Sequence, residues 1–177
     1  ELGVTTIQIN RFVKAIKKLS QSKISVDNET RLSQTESFLY LLTKIRLEKT
    51  ESWVLSMIVI DNLQNLEEKP DYDTLSAKIN QAGKTIYNYC KQMPNRLKPF
   101  KYNKNTWKKK DLFVILIKCN NDDKDFTYAT DKINDIIKDI WGKCNVSVSV
   151  GMVALDTTGN QTVNQWIAAA YKNVDIA

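Results

Sequence analysis

The chain has 177 residues, 42% of them hydrophobic and 26% charged, which suits one sizeable core and excludes a disordered chain. It contains no histidine, so Ser-His-Asp triads, Cys-His pairs and histidine-based zinc sites are excluded, and no apolar run approaches the roughly 20 residues of a membrane helix. The net charge is +6, but residues 91–110 hold eight basic and no acidic residues and contribute +8, so the rest of the chain sums to −2 and a basic coat over the whole surface is excluded.

Residues 1–26 are predicted to form a lead-in amphipathic helix and a linker. The apolar side chains of this helix recur at three-to-four spacing and are Ile9, Phe12, Val13, Ile16 and Leu19. A seam this short is unstable alone, so we expect its apolar face to be buried against the rest of the domain or a second copy.

The next two elements are predicted to be a helix and a buried strand. Residues 33–36, Ser-Gln-Thr-Glu, match a capping box that opens a helix ending near Lys49. Residues 53–60 form an apolar run interrupted only by Ser56, typical of a strand buried on both faces, and Asp61 stands at its exit. An amphipathic helix follows and ends before Pro94.

The basic segment, residues 91–110, is predicted to form a hairpin that leads into a second central strand at residues 111–118. Aromatic residues are interleaved with its cations, which is typical of a surface that contacts an anionic partner. A solvated edge that prevents sheet-to-sheet association is the competing interpretation.

The C-terminal part is predicted to contain a helix, a strand and a closing helix. The first helix carries Trp141 on its apolar face and ends at Gly142, a residue suited to a left-handed stop. In residues 146–150 valines alternate with serines, which predicts a strand with one polar face. The closing helix begins after a turn at residues 156–160 and places Trp166 on its apolar face.

The order of these elements predicts an α+β fold in which helices cover a central, mainly antiparallel sheet. Cys90, Cys119 and Cys144 lie far apart and lack C-x-x-C spacing, which predicts buried free thiols in a reducing compartment. The sequence begins at Glu1 without a signal-peptide pattern, so we expect a piece of a longer cytoplasmic protein with no membrane contact from this segment.

Four segments share the order and spacing of one family's motifs. Residues 27–38 correspond to D-x-L-T-x-L-x-N-R-x-x-F, residues 59–61 stand at D-x-D-x-F-K, residues 109–113 fall on G-G-D-E-F, and residues 146–151 are similar to V-T-V-S-I-G. The residues kept in the first segment are Asp27, Thr30, Leu32 and Phe38. Residues 27–177 therefore resemble a GGDEF-type diguanylate cyclase domain, which implies a ferredoxin-like palm fold.

The resemblance assigns two metal-ligand candidates, because cyclases hold two divalent ions with carboxylates from neighbouring strands. Asp111 falls on a metal-binding position of the signature, and Asp61 has two alignments. As the family's first aspartate, Asp61 leaves Leu63 at the second; as the second, it places Val59 at the first metal ligand. We prefer the latter because it fills both apolar positions that follow. A helix N-cap for Asp61 and a hairpin-turn carboxylate for Asp111 are simpler interpretations.

The phosphate-binding features of the family are altered in this sequence. Lys109 and Lys110 replace the two glycines that bring bare backbone against phosphates, and Leu112 replaces a glutamate. Any nucleotide contact would therefore come from Lys108, Lys109 and Lys110. The family's product-inhibition motif, R-x-x-D, falls on residues 100–103 and lacks both charged residues.

We therefore expect a catalytically inactive GGDEF-like domain that serves as a regulatory or protein-interaction module of a larger signalling protein. Its partner is expected to be another protein or a second copy, with an anionic ligand at residues 91–110 as a further option. The alternative is a divergent nucleotidyl cyclase or nucleotide-binding domain that uses Asp61 and Asp111 with the basic hairpin. Only this alternative requires a cofactor, magnesium.

Overall fold

A computed structural model describes residues 10–14, 26–49, 51–61, 72–102, 112–120 and 126–176. The elements beyond the N-terminal region follow in chain order: α1 Thr35–Glu48, β1 Ser52–Ile60, α2 Tyr72–Cys90, β2 Leu97–Tyr102, β3 Leu112–Cys119, α3 Thr127–Cys144, β4 Val148–Ala154 and α4 Val163–Ile176. The four strands form one sheet in the order β2-β3-β1-β4, and all neighbouring strands are antiparallel. This arrangement confirms the predicted α+β, ferredoxin-like palm.

β1 lies inside the sheet because its side chains, apart from Ser52 and Ser56, are apolar on both faces. It pairs with β3 from Ser52–Cys119 to Val59–Leu112, and with β4 from Val54–Ala154 to Ile60–Val148. Alternate residues of β1 enter two separate cores. One core packs against α2 and α3, and the other packs against α1 and α4.

At Gly151 the backbone of α4 lies close against β4. A Cβ atom at this position would lie 2.1 Å from the Ala170 carbonyl oxygen and 2.6 Å from the Val174 nitrogen. Both are backbone atoms of α4, so no side-chain rotation could relieve the overlap. Any larger residue therefore requires the helix to move away from β4.

A short turn, residues 26–33, docks against the outer edge of β2. The Asp27 carboxylate accepts hydrogen bonds from the Thr30 N–H at 2.9 Å and the Thr30 hydroxyl at 2.6 Å, and Arg31 is left-handed with φ 64°. The Ser33 carbonyl then accepts the Lys101 N–H at 2.9 Å. Three residues kept from the family motif, Asp27, Thr30 and Leu32, thus build this turn.

The predicted capping box at the start of α1 is wrong. The N-cap residue is Gln34, which makes no side-chain capping hydrogen bond. Ser33 lies one position earlier, where its backbone forms a bridge to Phe100 of β2. Pairing with the sheet edge therefore fixes Ser33 and sets the first residue of the helix.

The predicted end of α3 is also wrong. The helix continues through Gly142 to Cys144, and Asn145 provides the left-handed cap with φ 54°. Trp141 is 57% exposed, although the sequence places it on the apolar face. The buried stripe of α3 instead includes Ile133, Ile136, Ile140 and Cys144. Trp141 follows Ile140 in sequence and lies outside this stripe.

The N-terminal region is described only at residues 10–14, which are helical. Phe12 and Val13 are 51% and 42% exposed, so the burial expected for the lead-in helix stays a prediction. Cys90, Cys119 and Cys144 are buried free thiols, as predicted. Among the described helices, none combines the length and apolar character needed to cross a bilayer.

Candidate functional site

Four strand ends meet at one edge of the sheet, where the sequence predicts the metal and phosphate ligands. Asp61 follows β1, Ser149 lies near the start of β4, and Tyr102 of β2 pairs with Leu112 of β3. The segment joining Tyr102 to Leu112 carries Lys108, Lys109, Lys110 and Asp111, and it lies outside the described residues. The structure thus places Asp61 at the predicted edge and leaves the other four candidates as predictions.

Asp61 is held in place by β4. The Ser149 hydroxyl donates a 2.6 Å hydrogen bond to Asp61 Oδ1, and the Asp61 N–H donates to the Ser147 carbonyl at 2.9 Å. The carboxylate therefore has a fixed position, and its role includes tying the exit of β1 to β4. The N-cap hypothesis for Asp61 depends on residues 62–70, which lie outside the described part of the chain.

Val59 and Leu112 form a buried cross-strand pair beside this edge. They are register partners, they are 8% and 1% exposed, and both belong to the core that contains Phe38. Under the preferred alignment these two positions correspond to carboxylates in the family. In this chain both present only hydrocarbon, which cannot bind a divalent cation.

The base of the basic hairpin is also apolar. Phe38 of α1 packs against Phe100 with ring centroids 5.5 Å apart and against Tyr102 at 5.3 Å, the latter edge-on. Burial raises the pKa of Tyr102 above its usual value. Phe100 stands at the arginine position of the product-inhibition motif and is 6% exposed, so a core residue occupies that position.

Asp27 remains charged because its turn compensates for burial. Partial burial acts to raise the pKa of Asp27, but the Thr30 hydroxyl, the Thr30 N–H and the charge of Lys101 outweigh it and lower the pKa below 3.8. Lys101 Nζ lies 3.8 Å from the carboxylate. This retained motif residue therefore stabilises the turn.

A polar cleft of about 450 Å³ lies between the end of α1 and the loop before α4. Its charged lining residues are Arg46, Lys49 and Asp156, and Arg46 Nε donates a 3.0 Å hydrogen bond to the Gln161 carbonyl. Because Leu155 pairs with Trp53 at the start of β1, this cleft is at the opposite end of the sheet from Asp61. Within the described ranges no three His, Cys, Asp or Glu side chains group as a metal site.

No family model matches the sequence, and no curated protein matches it. Solved structures do match the fold. SiaD, a diguanylate cyclase from Pseudomonas aeruginosa solved with its activator SiaC, superposes with a TM-score of 0.71 at 11% identity, covering 99% of this chain and 66% of that chain. The coiled coil and GGDEF domain of DgcB from Caulobacter crescentus, bound to c-di-GMP, gives 0.68 at 12% identity, covering 98% and 90%.

A third similar structure is the S helix-GGDEF-EAL portion of Vibrio cholerae LapD bound to c-di-GMP, with a TM-score of 0.63 at 10% identity. The match covers 92% of this chain and 36% of that chain, so this chain spans about a third of the solved LapD portion and just under two thirds of the solved SiaD chain. The chain therefore has a GGDEF-like fold, as the motif order implies.

Proposed function

We propose that this domain does not catalyse cyclic di-GMP synthesis and acts as a regulatory or protein-interaction module of a larger signalling protein. Its fold is that of diguanylate cyclase domains, and its apolar framework is intact. The proposal rests on one observation above all, the buried pair of Val59 and Leu112. Two hydrocarbon side chains take the positions of two family carboxylates, so charge for binding metal and supporting chemistry is missing.

The direct test is the family reaction. The purified chain is incubated with GTP and magnesium or manganese, and cyclic di-GMP is measured by chromatography. We expect no product, because Lys109 and Lys110 replace the phosphate-approaching glycines and Leu112 replaces the glutamate. Product that disappears in the Asp111→Ala variant would refute the proposal.

The second candidate is a divergent nucleotidyl cyclase or nucleotide-binding domain that uses magnesium. One observation favours it: Ser149 orients the Asp61 carboxylate and occupies only Oδ1, and the described residues provide no hydrogen-bond partner for Oδ2. Asp61, Asp111 and the three lysines would then form the site. The test is metal-dependent consumption of GTP or ATP by the Asp61→Asn and Asp111→Asn variants. Loss of consumption in each of the two single variants would support this candidate. If consumption is unchanged in one variant, the aspartate substituted in that variant is not part of the site.

Two of the similar structures motivate the regulatory role. SiaD was solved with a protein activator, and the DgcB structure includes a coiled coil. In this chain the exposed Phe12 and Val13 on a helical segment provide apolar surface for a second copy. Removing residues 1–20 should convert a dimer to a monomer in light scattering. An unchanged oligomeric state and thermal stability would contradict dimerisation through this helix.

A further inference from the structure

Aromatic and basic side chains meet where the end of α2, the start of β2 and the first turns of α3 come together. We name this the aromatic–basic surface, and its residues are Tyr87, Lys91, Met93, Arg96, Tyr128 and Lys132. We infer that the aromatic–basic surface binds an acidic segment of a partner protein that also carries an apolar anchor side chain. This inference rests on the proposed function as an interaction module and specifies the chemistry of the partner.

Two positive charges gather on one aromatic ring of this surface. The Arg96 guanidinium carbon lies 3.6 Å from the centroid of Tyr128, and Lys132 Nζ lies 5.4 Å from it. Two like charges close together repel, and a ring quadrupole offsets only part of that repulsion. Neither cation has a carboxylate within 4 Å in the part of the chain that the structure describes. Anionic groups from a partner would complete the cluster.

Arg96 is already oriented for such a contact. Its Nε donates a 3.2 Å hydrogen bond to the Lys118 carbonyl, and its guanidinium carbon lies over the Tyr128 ring. These contacts fix the side chain before any partner arrives, so little rotamer entropy is lost on binding. The guanidinium then offers its two terminal nitrogens to a carboxylate, a pairing that is stronger than a neutral hydrogen bond.

An apolar floor lies beneath the cations. Tyr87, Met93, Phe126 and Tyr128 are half-buried and pack against the core shared by α2 and α3. Tyrosine, methionine and arginine are enriched at the centres of protein interfaces. Phe126 also has φ 57°, a left-handed conformation that is costly for a bulky residue and concentrates at functional sites. The floor therefore suits an apolar anchor ringed by acidic residues.

The position of the cations favours a protein partner over nucleic acid. Single-stranded nucleic acid binds such surfaces by stacking bases on free aromatic faces. Here Arg96 and Lys132 lie over Tyr128, and Lys91 lies 5.9 Å from the centroid of Tyr87, so the ring faces already hold cations. Carboxylates can reach these cations without displacing them. An apolar side chain can contact the half-buried Met93, whose sulfur accepts a 3.6 Å hydrogen bond from the Tyr128 hydroxyl.

The test uses the full chain and three short fluorescent peptides of equal leucine and phenylalanine content. The other positions are glutamate in the first peptide, glutamine in the second and lysine in the third. Binding is measured by anisotropy at low and physiological salt, with labelled oligouridylate as the nucleic-acid probe. We expect only the acidic peptide to bind, with affinity that falls as salt rises because the contact is electrostatic.

Charge-matched variants locate the site. Arg96→Gln with Lys132→Gln should weaken acidic-peptide binding by about tenfold, whereas Lys138→Gln with Lys172→Gln should change it by less than about twofold. Lys138 and Lys172 are exposed cations outside the aromatic–basic surface. Each of the two double variants removes two positive charges, so they differ only in where the charge is lost. Lys91→Gln with Lys132→Gln leaves the Arg96 hydrogen bond intact and should cost about fivefold, which covers the case in which the first double fails to fold.

Three outcomes would overturn the inference. They are no binding of the acidic peptide at low salt, tighter binding of oligouridylate than of the acidic peptide, or an equal loss of acidic-peptide affinity in the surface double variants and the Lys138→Gln with Lys172→Gln control. Cyclic di-GMP synthesis is assayed in the same preparations. Synthesis would refute the proposed function, whereas its absence together with absent peptide binding would refute only the assignment of this surface.

Discussion

Replacing Gly151 with alanine should separate α4 from the sheet. The added methyl group would lie 2.1 Å from the Ala170 carbonyl oxygen and 2.6 Å from the Val174 nitrogen, far inside contact distance. Because these atoms belong to a helix backbone, α4 must retreat by about 1 Å. That movement loosens the side chains that α4 buries within residues 163–174, and these are Trp166, Ile167, Ala170 and Val174.

The size of the effect follows from overpacking and lost contacts together. Overpacking a well-packed core costs about 1–3 kcal/mol, and a clash with backbone belongs at the upper end, so we expect a loss of about 3 kcal/mol. In a domain of 150–250 residues, each kcal/mol moves Tm by about 2–4 °C, so Tm should fall by about 6–12 °C.

Urea and thermal unfolding followed by circular dichroism measure this loss, and Gly142→Ala is the matched control. A Cβ at Gly142 meets nothing within 4 Å, and the residue lies inside α3. There alanine should stabilise the protein by about 0.5–1 kcal/mol, because it restricts the unfolded chain and favours helix. A Gly151→Ala protein within 1 kcal/mol of the parent, or equal losses in both variants, would refute the reasoning.

Three further predictions concern the turn against β2 and the buried thiols. Gly83→Ala places a Cβ 2.5 Å from Thr30 Cγ2 and should lower the free energy of unfolding by about 2 kcal/mol. Thr30→Ser removes that methyl group and should recover about half of the lost stability. Additive effects of the two substitutions in a double-mutant cycle measured by urea unfolding would contradict the contact. Asp27→Asn should destabilise the protein at neutral pH. Because the folded pKa of Asp27 lies below the unfolded value, its contribution is complete above about pH 4 and is lost as pH falls through the folded pKa, so a difference from the parent that persists in strong acid would contradict this assignment. Burial raises the pKa of Cys90 to about 12, so aromatic disulfide reagents should label it only as fast as the protein opens, and rapid labelling would show an accessible thiolate.

The central strands could be predicted from sequence because a long apolar run has few alternatives to burial on both faces. The run at residues 53–60 places β1 inside the sheet, and this holds in the structure. The end of α3 could not be predicted, because glycine is tolerated inside a helix and Asn145 also adopts the left-handed conformation. Ser33 is a similar case, since its role depends on a strand far along the chain.

The site was predictable only in part. The sequence predicts that Asp61 stands at the exit of β1, and it lies there, but its hydrogen bond to Ser149 depends on the register between β1 and β4, which periodicity does not specify. The aromatic–basic surface brings Arg96 beside Tyr128 through the packing of α3 on the sheet and α2. The spacing of residues within one helix or strand carries no information about such a contact between different elements.

The central position of β1 also constrains the order in which the chain can fold. β2 and β3 are close in sequence and can pair early. β1 can pair only after β3 has formed on one side and β4 on the other. Such non-local pairing slows folding, because loop-closure entropy is lost before the contacts form. During synthesis β1 therefore leaves the ribosome long before Ile60 can meet Val148, and until then its apolar faces need protection by chaperones or by transient collapse.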